Sequence, residues 1–370
     1  MKNYIINDFL LFEEFCNLKC LYCGGFDKES NNFRAIKNKL YAPSHWHEVV
    51  RGNKLSEGII GSETTLDDLI EIADKILDKT EKNFAYSILK LSGGEIFLSD
   101  NIVKFIKKRH KKYQAMQLLT NGVNLKEEQI REISELGNVY FQISLDGITP
   151  EANRARFGNE LLLKKVLKNI KLISELKMGL EINCVLTKFN TGDLKKFVEY
   201  FSKIPGVVIF PRPVRGNPKN ELYPDKEQIE NFDFLLENHE QYRAVLPPYK
   251  YLERVRSILR EELRSWNCYV PYFVMSENNY GKISKCTCGT FSGDVADISS
   301  AAVSELRMAI KKNGYSHNQR YSTCADCISQ YEIFNLLVEG DISGDDVKNI
   351  PTFQINGVIN SIDKIREDIF

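Results

Sequence analysis

The chain has 370 residues, 43% of them apolar, with Lys+Arg and Asp+Glu at 50 each and a formal charge of zero. That balance argues against a non-specific polyanion binder, which carries a basic excess, so no nucleic-acid partner is expected. No apolar run approaches the roughly 18 residues that span a bilayer, and MKNYIINDFLLFEEF carries acidic residues in its apolar run and no small-residue cleavage site, so a cytoplasmic protein with neither span nor signal peptide is expected.

In chain order, YIINDFLLF reads as a first strand. Residues 26–62 are polar and read as an insertion loop at the mouth of the sheet; His45 and His47 in HWH are better suited to its surface than to a metal. TTLDDLIEIADKILDK puts Leu66, Leu69, Ile70, Ala73, Ile76 and Leu77 on one helical face, with Thr64 and Asp67 resembling a capping box. Then follow strand AYSILKLSGG, helix NIVKFIKKRH, strand AMQLLTNG, helix KEEQIREISELG and strand VYFQISLDG. Helix LLLKKVLKNIKLISELK, strand LEINCVLTKFN, helix GDLKKFVEYFSK and strand GVVIFPRP complete six βα units. Such alternation implies a mainly parallel α/β sheet, as an open barrel or a doubly wound sheet. From about residue 220 the pattern turns to two helices, DKEQIENFDFLLENHE and YLERVRSILREELRSW, with a domain boundary near 240. Cysteines then recur, and the polar stretch after about 340 suggests no chemistry.

FEEFCNLKCLYCGG crowds Cys16, Cys20 and Cys23 into eight residues just after the first strand. In parallel-sheet folds that is the reactive, carboxyl end. Nine cysteines is an odd number and suits reduced ligands better than a disulfide framework. Cysteine thiolates hold iron–sulfur clusters, and three of them on a four-iron cube leave one iron open for a ligand. A structural zinc is the alternative, but it favours four ligands in two separated pairs.

This C-x3-C-x2-C pattern resembles the radical S-adenosylmethionine superfamily, and further motifs fall in that family's order. LSGGE supplies Ser92, Gly93, Gly94 and Glu95; LLTNG supplies Thr120, Asn121 and Gly122; QISLDG supplies Ser144, Asp146 and Gly147; Arg156 follows ten residues after Asp146. INCVLT and IFPRPVRG match the fifth and sixth strands, and Tyr22 takes the aromatic place before the third cysteine. The resemblance covers residues 1 to about 216 and implies a partial (β/α)6 barrel. It implies a [4Fe-4S] cluster on Cys16, Cys20 and Cys23, whose open iron holds the amine and carboxylate of S-adenosylmethionine. By the same resemblance, the GGE backbone receives the methionine amino group, Ser144 approaches the ribose, Arg156 contacts the methionine carboxylate, and Val185 and Phe210 lie near the adenine. Tyr22, Glu95, Thr120, Asn121 and Asp146 belong to the same cofactor-binding set. One electron from the cluster would cleave the sulfonium, and the resulting 5′-deoxyadenosyl radical would remove a hydrogen atom from substrate. Two glycines in GGE suit close approach of a backbone to a ligand, and an arginine suits a bidentate pair with a carboxylate.

Cys268, Cys286, Cys324 and Cys327 resemble the ligands of a SPASM- or Twitch-type extension, with one auxiliary [4Fe-4S] cluster that moves electrons; a zinc knuckle is the alternative. Cys288 stands as a spare thiol, a substitute for Cys286 or a weak candidate catalytic donor. Asn183 is expected to face the sheet cavity and Cys184 the core behind it. The expected domains are 1–240 (core, with the 26–62 insertion), 241–335 (Twitch-like) and 336–370 (tail). The resemblance implies a maturase that oxidises, cross-links or epimerises a ribosomally made peptide, or else a small-molecule dehydrogenase of the kind found in aminocyclitol biosynthesis. It also implies a reducing partner such as flavodoxin or ferredoxin. Only 15 residues precede Cys16, so a separate leader-peptide-binding protein, or the 26–62 loop, would have to grip such a peptide.

Overall fold

Six βα units lay down a parallel sheet whose neighbours in space are its neighbours in sequence. The structure, a computed structural model, describes residues 2–12, 15–23, 65–215, 221–262, 264–279, 281–284, 293–294 and 327–370. Strands β1 (Lys2–Leu11), β2 (Phe84–Gly93), β3 (Ala115–Thr120), β4 (Val139–Ser144), β5 (Leu180–Leu186) and β6 (Val207–Pro213) pair in parallel, each with the next. Helices α1 (Leu66–Thr80), α2 (Ile102–Arg109), α3 (Glu127–Ser134), α4 (Glu160–Glu175) and α5 (Leu194–Phe201) connect them. A doubly wound sheet reverses its strand order at a switch point. This one runs β6-β5-β4-β3-β2-β1 without reversal, so the partial-barrel alternative is the observed one. Both faces are covered, which is why every residue of β5 is buried.

The described part of residues 221–284 adds α6 (Tyr249–Leu259) and a strand the sequence pattern did not announce, β7 (Val274–Asn278), parallel to β1 on its free edge. Its last three residues, Ser276, Glu277 and Asn278, are polar yet fully buried, so the apolar run that leads into it stops short of the strand's end. Glu277 is satisfied by Asn7 Nδ2 at 3.0 Å and by Thr80 Oγ1. Antiparallel strands β8 (Lys282–Ser284) and β9 (Gly293–Asp294) extend that edge.

Three local readings need correction. The α1 capping box is Thr65 with Asp68, not Thr64 with Asp67; Asp67 instead accepts from Ser99 Oγ at 2.5 Å and Asn101 Nδ2 at 2.7 Å. The expected helix at 225–240 is two short ones, Lys226–Glu230 and Asp233–Glu237. Helix α6 stops at Leu259 because Glu261 turns left-handed (φ 68°), and the Glu261 and Glu262 amides close back on Ile258 and Ser257 at 3.1 and 3.0 Å.

The polar C-terminal stretch has a packed place. Helix α7 (Glu332–Glu339), buried from Glu332 to Val338, and the turn Pro351–Gln354 cover the inner face of the sheet, followed by α8 (Val358–Ile369). Under them lies a buried polar row. Asp8 takes Lys90 at 3.3 Å, Tyr331 OH at 2.8 Å and the Ser92 hydroxyl. Glu181 accepts from Gln117 at 2.7 Å, Thr352 at 3.0 Å and Gln142 at 3.2 Å. Burial pushes the carboxyls of Glu181 and Glu277 up to about 7. The cavity left beside Glu181 is about 10 Å³, room for a single water. Among the described residues, no helix is long and apolar enough to cross a membrane.

Candidate cofactor site

The cysteine loop is built by the end of β1 and held by the end of β2. Phe12 takes a left-handed conformation (φ 58°) just after β1 and starts the turn. Beside it, Gly93 has φ 122°, and a Cβ there would overlap the Leu11 carbonyl; one on Gly94 would overlap the Phe15 and Phe12 carbonyls. Through that gap Gly94 N donates to Phe12 O at 3.1 Å and Glu95 N to Phe15 O at 2.9 Å. The sequence suggested that the two glycines admit a ligand. The first backbone they admit is that of the cysteine loop.

Glu95, fully buried, ties this turn to the end of β3. Its carboxylate accepts from Thr120 Oγ1 at 2.6 Å, Asn121 N at 2.7 Å and Phe97 N at 3.0 Å. Burial pushes its carboxyl above the usual range even so. Glu95 and Thr120 thus bond to each other and to the loop backbone. Asn121 reaches the cysteine loop: its Nδ2 donates to Asn17 Oδ1 at 2.8 Å and stands 3.7 Å from Cys16 Sγ. Leu18 N stands 3.4 Å from the same sulfur. Burial pushes the Cys16 thiol up, and the Leu18 amide works against it, as a donor to sulfur favours the thiolate.

The third wall follows β4. Asp146 accepts from Arg156 Nη2 at 3.0 Å and Nε at 3.2 Å, from Val185 N at 3.0 Å, and from the Tyr22 hydroxyl. The Arg156 guanidinium carbon lies 5.4 Å from the Tyr22 ring centre. Leu21 N donates to Ala155 O at 2.6 Å, fastening the cysteine loop to this arc. Burial pushes the Cys20 thiol up to about 12, with the nearby Arg156 charge pulling it down. Burial is the largest influence on the Arg156 charge and opposes it, but Asp146, Tyr22 and Cys20 together outweigh it, so the guanidinium stays firmly protonated. Tyr22, Asp146, Arg156 and Val185 are therefore one assembly. Sequence reading missed its organiser, Asn153, which accepts from Asp146 N at 3.0 Å and donates to Gly147 O at 2.7 Å and Thr149 O at 2.9 Å.

Ser144 ends β4 in register with Asn183, and Asn183 with Phe210. Asn183 is 4% exposed, and its Oδ1 has no hydrogen-bond partner among the described residues. Cys184 points the other way, its sulfur 3.7 Å from Asp146 O and 3.5 Å from Asn190 Nδ2, which is the expected core position. Phe210 is 1% exposed and packs edge-on against Tyr251, as a core ring does.

Of the second cysteine set, Cys268 is buried and leads into the short helix Val270–Phe273 before β7, and Cys327 is half-buried ahead of α7. Cys286, Cys288 and Cys324 lie outside the described residues, as do His45, His47 and the 26–62 insertion. Among the described residues, no three His, Cys, Asp or Glu side chains converge on a single metal ion. Cys23 lies near enough to Cys16 and Cys20 to help raise both thiols.

The profile of the Radical SAM superfamily matches residues 10–201, slightly more than half of the chain. A probable GTP 3′,8-cyclase of Methanocaldococcus jannaschii is 24% identical over 197 residues, 52% of this chain and 54% of that protein. The sporulation killing factor maturation protein SkfB of Bacillus subtilis is 27% identical over 113 residues, 30% of this chain and 27% of that protein. The chain thus spans about half or less of the length of these curated relatives. Among solved structures, Streptococcus suis SuiB bound to S-adenosylmethionine superposes with a TM-score of 0.56 at 13% identity, over 91% of this chain and 75% of that one. SuiB is also known bound to its precursor peptide SuiA. At that identity the likeness concerns the fold.

Proposed function

Since this chain belongs to the radical SAM superfamily and is therefore an enzyme of that kind, we propose that it uses S-adenosylmethionine, at a [4Fe-4S] cluster on Cys16, Cys20 and Cys23, to modify a peptide. The observation that carries this reading is the joining of the three-thiol loop to the GGE turn and to the Asp146–Arg156 arc. Three separate strand ends are bonded around one set of thiols. The donor set fits the group: three thiols, amide donors on the Cys16 sulfur and a fixed cation beside Cys20. When bound, the cluster and S-adenosylmethionine supply a radical that takes a hydrogen atom from substrate.

The chain's own residues then have definable work. Leu18 N and Asn121 hold the Cys16 sulfur in place. Asp146 orients Arg156 and Tyr22, and Arg156 offers a buried positive charge to a carboxylate. Ser144, at the carboxyl end of β4, and Asn183, in register with it on β5, present adjacent polar groups to the hydroxyl groups of a ligand. The plug formed by α7 and the Pro351–Gln354 turn closes the lower barrel and excludes water from below. Val185, whose amide bonds Asp146, makes the apolar side of the site, and Phe210 backs it from the core against Tyr251.

Peptide as substrate is supported by the match to SkfB and by the fold shared with SuiB. A second cluster, with Cys268 and Cys327 among its ligands, is supported by their position: four residues after Cys327, Tyr331 enters the inner face and bonds Asp8 and Lys90. An electron-transfer centre there would stand next to the substrate space, fed or drained through a partner such as flavodoxin or ferredoxin. Anaerobic reconstitution with dithionite and S-adenosylmethionine tests the reading. We expect 5′-deoxyadenosine without added substrate, and a mass change in a candidate precursor peptide supplied with it. No 5′-deoxyadenosine from iron-loaded protein would contradict the reaction; turnover of a small molecule and of no peptide would contradict the substrate.

A further inference from the structure

We propose that Glu332 is the positioning residue of the second metal centre, setting the distance between Cys268 and Cys327 through Arg264 and Asn335. This rests on the auxiliary-centre reading above.

The two cysteines are 59 positions apart in sequence, yet one guanidinium holds both backbones. Arg264 Nη1 donates to the Cys327 carbonyl, and its Nη2 donates to the carbonyl of Asn267, the residue before Cys268, each at 3.0 Å. On the other side of Cys268, Tyr269 N donates to Asn335 Oδ1 at 2.7 Å. Both holders converge on one carboxylate oxygen. Glu332 Oε2 lies 3.1 Å from Arg264 Nη2 and accepts from Asn335 Nδ2 at 3.0 Å. Its other oxygen takes Arg254 Nη1 at 2.5 Å. Trp266 lies against both cations, its ring centre 5.4 Å from the Arg264 guanidinium and 4.9 Å from that of Arg254.

A buried Arg–Glu–Arg set is an expensive way to fill space, because apolar residues of similar volume often give equal or greater stability. Glu332 and Arg264 side chains are each 2% exposed. What the set provides and apolar packing cannot is a fixed fork. The rigid planar guanidinium spans two carbonyls at a defined separation, and Glu332 fixes the plane of that fork and the Asn335 amide together. Partners behind metal ligands hold ligand geometry, and their loss typically costs about 10–100-fold in metal affinity. The charges also matter. A cation one peptide from both cysteines favours the more negative, reduced form of an iron centre, and the carboxylate behind it tempers that effect.

The experiment uses full-length protein with Cys16, Cys20 and Cys23 changed to Ala and iron and sulfide restored anaerobically, so that bound iron reports the second centre. Glu332→Gln, Arg264→Lys and Arg264→Gln are added to it. Iron loss to a chelator and the midpoint potential are read beside far-UV circular dichroism. Expected are iron loss about 10–100-fold faster for Glu332→Gln and Arg264→Lys, a potential lowered by Arg264→Gln and a potential raised by Glu332→Gln. Opposite signs are not what general loosening of the fold produces. Arg264→Lys, which keeps charge but not the fork, carries the test should Glu332→Gln fail to fold. Iron retained at parental rates and potentials overturns this inference alone. A parent that holds no iron overturns the auxiliary-centre reading, and this inference with it.

Discussion

The molecule holds cysteines in two differently built places. At the carboxyl end of the sheet, Cys16, Cys20 and Cys23 sit on one short loop held by backbone hydrogen bonds to Gly94, Glu95 and Ala155. Beside β7, Cys268 and Cys327 come from distant segments and are tied by charged side chains around Glu332. A loop contiguous in sequence needs only a tight turn to gather its thiols. Segments far apart need a side-chain fork to fix their separation. The first arrangement lies beside the end of β4, where Ser144 pairs in register with Asn183 of β5; the second is wrapped by Trp266, Arg254 and α7.

The largest way to break this contrast is to remove each set in turn. Changing Cys16, Cys20 and Cys23 together to Ala is expected to abolish S-adenosylmethionine cleavage, read as 5′-deoxyadenosine. Cys327→Ala is expected to leave cleavage largely intact and to lower product formation. Equal losses of both activities in Cys327→Ala would remove the functional distinction between the two places.

Gly94→Ala tests the glycine contact. The added methyl must displace the Phe15 or Phe12 carbonyl, at a cost of about 1–3 kcal/mol by analogy with overpacked cores, and the iron of the first loop is expected to be lost with it. A melting temperature and iron content matching wild type would mean that the joint is looser than described. A smaller effect is expected from Arg156→Ala. Loss of a charged hydrogen-bond partner should weaken S-adenosylmethionine binding roughly tenfold, and Asp146, left buried without its cation, should lower stability. Unchanged affinity in a calorimetric titration would remove Arg156 from the site.

The smallest effect is in pH dependence. Glu181 and Glu277 are both raised to about 7 in the fold, against roughly 4.3 in an unfolded chain. Between those values the folded state binds more protons, so their contribution is full below about pH 4 and is lost as pH rises through 7. Glu181→Gln should therefore flatten the fall in melting temperature between pH 5 and 8. An unaltered slope would show that Glu181 does not titrate there.

Much of this was legible because the first site is local. A cysteine triplet after a strand, GGE, TNG and SLDG each lie within a few residues, and the βα alternation orders their strands. Cys184 as a core thiol followed from two-residue alternation alone. What escaped reading is what depends on distant partners. The second half of β7 is polar and buried, so the place of Glu277 is visible only beside Asn7 and Thr80. The stretch after 336 reads as a polar tail because its buried faces meet the inner sheet only after folding. Glu332 and Arg264 look like ordinary surface charges in sequence, since nothing local shows that they meet. That Gly93 and Gly94 also admit the cysteine loop is not legible, because a one-dimensional pattern does not show that β1 and its loop pass beside them.

The central claim is a four-iron cluster on Cys16, Cys20 and Cys23 with one iron left for S-adenosylmethionine. Mössbauer and electron paramagnetic resonance spectra of anaerobically prepared Cys268→Ala/Cys327→Ala protein test it most directly, before and after S-adenosylmethionine is added. The account predicts a [4Fe-4S] signal that changes on addition, from one distinct iron site. One zinc per chain at these three cysteines, with no iron bound, would contradict it.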